Sequence, residues 1–182
     1  MRLPGIKDEE FERARVPMTK REVRMVALCM LAPERGQVAY DIGAGTGSVS
    51  VELALMGARV YAVEKRREAA ELVRRNLRRF GVRGEVVLGE APEALESLPE
   101  PQRVFIGGSG GRMEEIAAHL AERLGDGGRV VATAVTLSTL ESALRAFERE
   151  GFATEVVLAS FARVERGMMR ALNPVFVLSA ER

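Results

Sequence analysis

The sequence predicts an α/β fold: a seven-stranded, mostly parallel sheet with helices on both faces. Three observations predict it. Short apolar runs alternate with longer amphipathic ones through Gly151, the pattern of parallel strands joined by right-handed helical crossovers. The first apolar run ends in a glycine-rich turn that opens a helix, as at the ligand-binding edge of open α/β sheets. The final two runs follow one another without a helix between them, which implies an antiparallel last strand at the sheet edge.

Each element follows from its residues. Residues 1–32 make a short arm and a helix ahead of the sheet. Within "VPMTKREVRMVALCML" (16–31), Thr19 and Glu22 have capping-box spacing, and Val23, Val26, Ala27 and Met30 share a helical face. "QVAYDI" (37–42) is a strand that stops at Gly43. "GSVSVELALMG" (47–57) is a helix closed by a glycine. "ARVYAVEK" (58–65) is the second strand, and residues 67–81 form a helix with Ala70, Val73, Leu77 and Phe80 on one face. "GEVVLGE" (84–90) is the third strand, followed by a short helix over 92–98 with Pro92 in its first turn. "QRVFIGG" (102–108) and "GGRVVATAV" (127–135) are strands, each followed by a helix, at 112–125 and 137–151. "ATEVVLASFA" (153–162) and "NPVFVLSA" (173–180) close the sheet.

With 182 residues and 47% hydrophobic content, the chain reads as one globular domain, 1–182, with a core of its own. A net charge of +1 gives no field that would draw nucleic acid or an anionic membrane. Cys29 is the only cysteine, so no intrachain disulfide forms, and its apolar surroundings predict a buried, inert thiol. No apolar stretch approaches the roughly 20 residues of a membrane span, and the N-terminal residues lack the apolar core of a secretory signal. A cytoplasmic protein is expected.

The chemistry concentrates at the strand ends. "YDIGAGTGS" carries Gly43, Gly45 and Gly47 in the spacing GxGxG. A dinucleotide fingerprint would need glycine at Ser48, and a Walker loop would need Gly-Lys-Ser/Thr. Glycines at such a turn let backbone N–H groups come close to a ligand. Asp41 lies two residues before the first glycine, where a carboxylate can meet a ligand's ammonium group. Glu64 ends the second strand, where an acid can accept from both hydroxyls of an adenosine ribose. An amino acid at one end and an adenosine at the other describe S-adenosylmethionine. After the third strand, Glu90 is placed to accept from the adenine amine and the Ala91 N–H to donate to a ring nitrogen.

These features resemble the Class I S-adenosylmethionine-dependent methyltransferases, with their Rossmann-like seven-stranded sheet, over nearly the whole chain. "VPMTKREVR", "GEAPEAL" and "IGGSGG" narrow the resemblance to the CbiT family of cobalamin biosynthesis, the decarboxylating cobalt-precorrin-6B methyltransferases. The same unit forms the C-terminal half of a longer fused enzyme, CobL. The resemblance implies methylation of ring carbon 15, loss of carbon dioxide from the carbon-12 acetate, cobalt-precorrin-7 as product, and a homotetramer. By position it makes Thr19, Gly43, Ala44, Gly45, Thr46, Gly47, Glu64 and Ala91 cofactor contacts. Ala44, where the family often has cysteine, and Glu90, where it commonly has aspartate, depart from its pattern.

A second glycine-rich loop, "FIGGSGGRM" (105–113), follows the fourth strand. Methyltransferases of base nitrogens often carry an acid or amide there; this loop offers nothing stronger than Ser109. An electron-rich ring carbon needs no strong protein base, only alignment with the methyl donor. Gly107, Gly108, Gly110 and Gly111 are therefore expected to leave room for a large flat substrate, with Ser109 among them, and their N–H groups to meet one of its carboxylates. If residues 161–174 are helical, Arg163, Arg166 and Arg170 share a face that would bind further carboxylates. Met168 and Met169 belong to a subunit interface, the ring site or the core, and His119 is structural or exposed. No metal-ligand cluster is apparent; a cobalt-precorrin brings its own metal.

Overall fold

Residues 3–182 are described by the structure, a computed structural model. After an N-terminal arm come α1 (Arg21–Leu31), β1 (Val38–Ile42), α2 (Ser48–Met56), β2 (Arg59–Glu64), α3 (Arg67–Arg79), β3 (Glu85–Leu88), β4 (Arg103–Ile106), α4 (Met113–Arg123), β5 (Arg129–Ala134) and α5 (Leu137–Arg149). The chain ends with β6 (Ala153–Ala159), β7 (Ala162–Glu165), β8 (Met168–Ala171) and β9 (Val175–Glu181). The main sheet has seven strands in the order β3-β2-β1-β4-β5-β9-β6. β9 runs antiparallel to both β5 and β6 and lies between them, so β6, not the last strand, is the edge.

Alternation along β1 divides the core. Val38, Tyr40 and Ile42 pack with Ile116, Leu120 and Phe147 of α4 and α5. Ala39 faces the other way, with Leu28 and Leu31 of α1 and Leu53 of α2. A strand buried on both faces reads as a continuous apolar run, as β1 does. Asp41 is the polar exception, and the strand order brings it to the reversal point between β1 and β4, where open α/β sheets bind ligands.

Several expectations are corrected. The Thr19–Glu22 capping box does not form. Lys20 precedes α1 without a side-chain cap, and the Arg21 N–H donates to Asp8 Oδ1 at 2.9 Å. The face of α1 turned inward carries Val23, Arg24, Ala27, Leu28 and Leu31; Val26 and Met30 are half-buried and Cys29 is exposed. Both sides of this helix are apolar, so composition alone does not reveal which side meets the sheet. The helix expected over 92–98 is a single 3₁₀ turn, Glu93–Leu95. The segment 161–174 is not helical: β7 and β8 form a separate hairpin, with Arg163 opposite Arg170.

The arm is locked down by a buried polar cluster. Glu52 accepts from the Gly5 and Ile6 N–H groups at 2.7 and 3.2 Å and from Arg24 Nε at 2.7 Å. Arg24, fully buried, also donates to the carbonyls of Thr19 and Ile6 at 2.6 and 2.5 Å and pairs with Asp8. Asn76 of α3 exchanges hydrogen bonds with the Glu12 backbone and donates to the Thr46 carbonyl at 2.8 Å, joining the arm to the first glycine loop.

Candidate active site

A cavity of about 710 Å³ opens at the carboxyl ends of β1, β2 and β4. The arm roofs it with Pro17, Met18 and Thr19, and the stretch after the hairpin adds Leu172 and Asn173. Of the residues expected at the cofactor, Thr19, Asp41, Gly43, Ala44, Gly45, Glu64, Glu90 and Ala91 line it. So do Gly107, Gly108, Ser109 and Gly110 of the second loop. Thr46, Gly47, Gly111, Arg163, Arg166 and Arg170 do not.

The three glycines of the first loop have positive φ, and each meets a different neighbour. A Cβ on Gly43 would lie 2.6 Å from the Gly108 carbonyl oxygen. One on Gly45 would lie 3.0 Å from the Pro17 oxygen, and one on Gly47 would lie 2.9 Å from Val73 of α3. The loop is thus glycine-rich because the second loop, the arm and α3 all press on its backbone. Four of its donors are committed within the protein. The Gly43 and Ala44 N–H groups reach the Val63 carbonyl, Gly47 N–H reaches the Ala44 carbonyl, and Gly45 N–H reaches Glu64 Oε2 at 3.0 Å. The expectation that these N–H groups face a ligand is corrected accordingly. What the loop gives the cavity is bare, closely approachable backbone.

The two acids stand in different settings. Asp41 is buried and accepts the Ser50 hydroxyl in a short hydrogen bond. Burial pushes its carboxyl up to about 6, against the opposing pull of Ser50. Glu64 Oε2 accepts the Gly45 N–H and Oε1 the Arg66 N–H, each at 3.0 Å, and Oε1 also takes a long contact of 3.5 Å from Arg66 Nε. A carboxylate accepts about four hydrogen bonds, so Oε2 keeps one site for a hydroxyl, and Oε1 gains one when the Arg66 side chain swings away. Glu90 lies at the cavity wall with Lys65 Nζ 2.8 Å from its Oε1. Ser50, Lys65 and Arg66 were not singled out from sequence. The basic run after Glu64 was the available signal for the last two; nothing local announces Ser50, nine residues beyond its partner.

The second loop packs on the first. Gly107 and Gly108 meet Gly43, and a Cβ on Gly110 would lie 2.9 Å from Glu90 Oε1 and 3.2 Å from Lys65 Nζ. A Cβ on Gly108 would meet nothing within 4 Å. Two of the hairpin arginines are engaged elsewhere. Arg163 donates to both Glu22 oxygens at 2.9 and 2.6 Å and to Asp8 at 3.2 Å, and its hydrogen bonds hold the Glu22 carboxyl down at about 2. Arg170 pairs with Glu165, and Arg166 sits at the hairpin turn with positive φ.

A family model described as the precorrin methyltransferase domain matches residues 9–178. This chain belongs to the precorrin methyltransferase family. A family relative from Pyrobaculum calidifontis, named a probable cobalt-precorrin-6B C(15)-methyltransferase (decarboxylating), is 48% identical over 97% of this chain and 95% of its own length. The structure of a precorrin-6y C5,15-methyltransferase from Geobacter metallireducens superposes with a TM-score of 0.94 at 40% identity, covering 98% of this chain and 97% of that one. A protein of Methanobacterium thermoautotrophicum, described as a precorrin 8W decarboxylase, gives 0.92 at 36% identity, covering 97% and 100%. The precorrin methyltransferase fold therefore accounts for the arm and hairpin as well as for the sheet.

Proposed function

We propose that the protein is an S-adenosylmethionine-dependent C-methyltransferase of cobalamin biosynthesis. It methylates carbon 15 of cobalt-precorrin-6B and releases the carbon-12 acetate carboxylate as carbon dioxide. One observation carries the reading: a buried carboxylate, Asp41, and a second carboxylate, Glu64, line one cavity together with bare backbone of both glycine loops. The residues fit the cofactor. Asp41 would take the ammonium group, Glu64 the two ribose hydroxyls, and Glu90 with the Ala91 N–H the adenine edge. Thr19 and the Gly43–Gly45 backbone would close over the amino-acid end. When bound, the cofactor supplies an electrophilic methyl group on a positively charged sulfur.

The chain's own part is alignment and exclusion of water. Gly107, Gly108 and Ser109 leave the approach to that methyl open for a planar ring, and Ser109 is the only side chain among them able to hydrogen-bond. The nucleophile is a ring carbon, so no strong base is needed on β4. A homotetramer and a cytoplasmic location belong to the same reading. The exposed Val164, Met168 and Met169 of the hairpin, 62–80% accessible, support the assembly.

Mass spectrometry after incubation with cobalt-precorrin-6B and S-adenosylmethionine tests the reading. The expected product gains one methyl group and loses carbon dioxide; unchanged substrate overturns the reading. Gly108→Val projects into open space and should slow turnover at least about tenfold while leaving calorimetric cofactor affinity near wild type.

A further inference from the structure

Beside the main cavity lies a smaller chamber of about 190 Å³. The two share a border along Gly107, Gly108, Ser109, Thr133 and Val135. Beyond that border, the chamber, which is open to solvent, is lined by Ile106, Met113, Ala134 and Thr139, none of which lines the main cavity. Its polar side chains are three hydroxyls, those of Ser109, Thr133 and Thr139, and no charged residue lines it. The main cavity, in contrast, is lined by Lys20, Lys65 and Arg66.

We infer that this side chamber receives the substrate's reacting acetate and is where its carboxylate is lost. The inference rests on the proposed function and locates the second half of that reaction. The chamber is large enough for a short side chain and far too small for the macrocycle. Its border includes the stretch of β4 loop that faces the proposed methyl-transfer position, so one bound ring would reach both places.

The absence of a cation there fits the chemistry. As carbon dioxide leaves, negative charge moves out of the carboxylate and into the ring. A lysine or arginine on the carboxylate would stabilise the starting anion more than the transition state and slow the step. Hydroxyls orient the group without holding its charge so strongly. The bond between the acetate methylene and its carboxylate breaks, and its electron pair passes into the conjugated imine system of the macrocycle. Carbon dioxide departs, and a proton from water adds to the methylene carbon, leaving a methyl group.

Thr139 gives access to the chamber alone, from the exposed first turn of α5. Thr139→Leu fills it and Thr139→Arg brings in a cation. Each variant is incubated with cobalt-precorrin-6B and S-adenosylmethionine, and the masses of the products are compared with those from wild type. The expected result is a rise of about tenfold or more in the ratio of methylated product that retains its carboxylate to product that has lost it. Cofactor affinity by calorimetry verifies that each variant is folded. An unchanged ratio in both variants, or loss of the two steps in equal proportion, overturns the inference. Failure of the wild-type protein to methylate the precorrin would instead overturn the proposed function on which it rests.

Discussion

Burial raises the Asp41 carboxyl from an ordinary value of 3.8 to about 6, so its charge weighs on the folded state at neutral pH. The sign follows from linkage. A carboxyl whose folded value exceeds its unfolded one contributes stability below about pH 4 and loses it as pH rises through about 6. Asp41→Asn keeps an acceptor for Ser50 and removes the charge. Thermal melts of the ligand-free protein at pH 7.5 should show the variant a few degrees more stable, with the difference vanishing toward pH 4. Cofactor binding should move the other way. Wild-type affinity should fall as pH drops below about 6, by up to tenfold per unit, because the ammonium needs an ionised partner. Asp41→Asn should bind weakly at every pH, and a variant with wild-type affinity would contradict the assignment. The place of Asp41 and Glu64 at the cavity was legible in the sequence because each acid sits at or beside the end of a strand, Asp41 just ahead of the glycines and Glu64 at the end of the next strand. The commitment of the loop's own N–H groups was not, because it depends on Val63 and Glu64 one strand away.

The arm is built around Arg24, a charged residue on the buried side of α1. Arg24→Ala would leave Glu52 buried without its cation, and Asp8 with Arg163 alone, a loss of about 3–5 kcal/mol. In a domain of this size that corresponds to a fall in melting temperature of roughly 10 °C, checked by differential scanning calorimetry. Cofactor affinity should fall as well, since Pro17–Thr19 roof the cavity; unchanged affinity would show that the roof does not depend on the cluster. Periodicity disclosed the strands and long helices of the sheet because each buries a regular face against it. It misplaced the inward face of α1, whose outer side is apolar too. It also read the arginines at 163, 166 and 170 as a helical stripe. The same segment alternates as two short strands around Arg166-Gly167, a hairpin signal hidden by the three-residue spacing.

Across the molecule, apolar surface gathers on the hairpin and on β6. Val164 and Met169 oppose one another on the hairpin at 70% and 80% exposure, and Leu158 of the edge strand is 56% exposed. Exposed apolar edges of this kind are normally covered by another chain. The double substitution Val164→Glu with Met169→Glu should therefore lower the sedimentation mass of the proposed assembly without unfolding the protomer; an unchanged mass would remove the hairpin from the proposed interface. At the opposite end of the scale, the near-contact of Gly43 with Gly108 has a consequence for how such a site can be rebuilt. The two glycine loops behave as a single graft. A β4 loop from another methyltransferase whose backbone is shifted toward Gly43, or a β1 loop with a side chain at position 43, would collide with its partner loop before either met a substrate. Redesign toward a new acceptor must transplant both loops together, or begin at Gly108, the one position on that seam with free space in front of it.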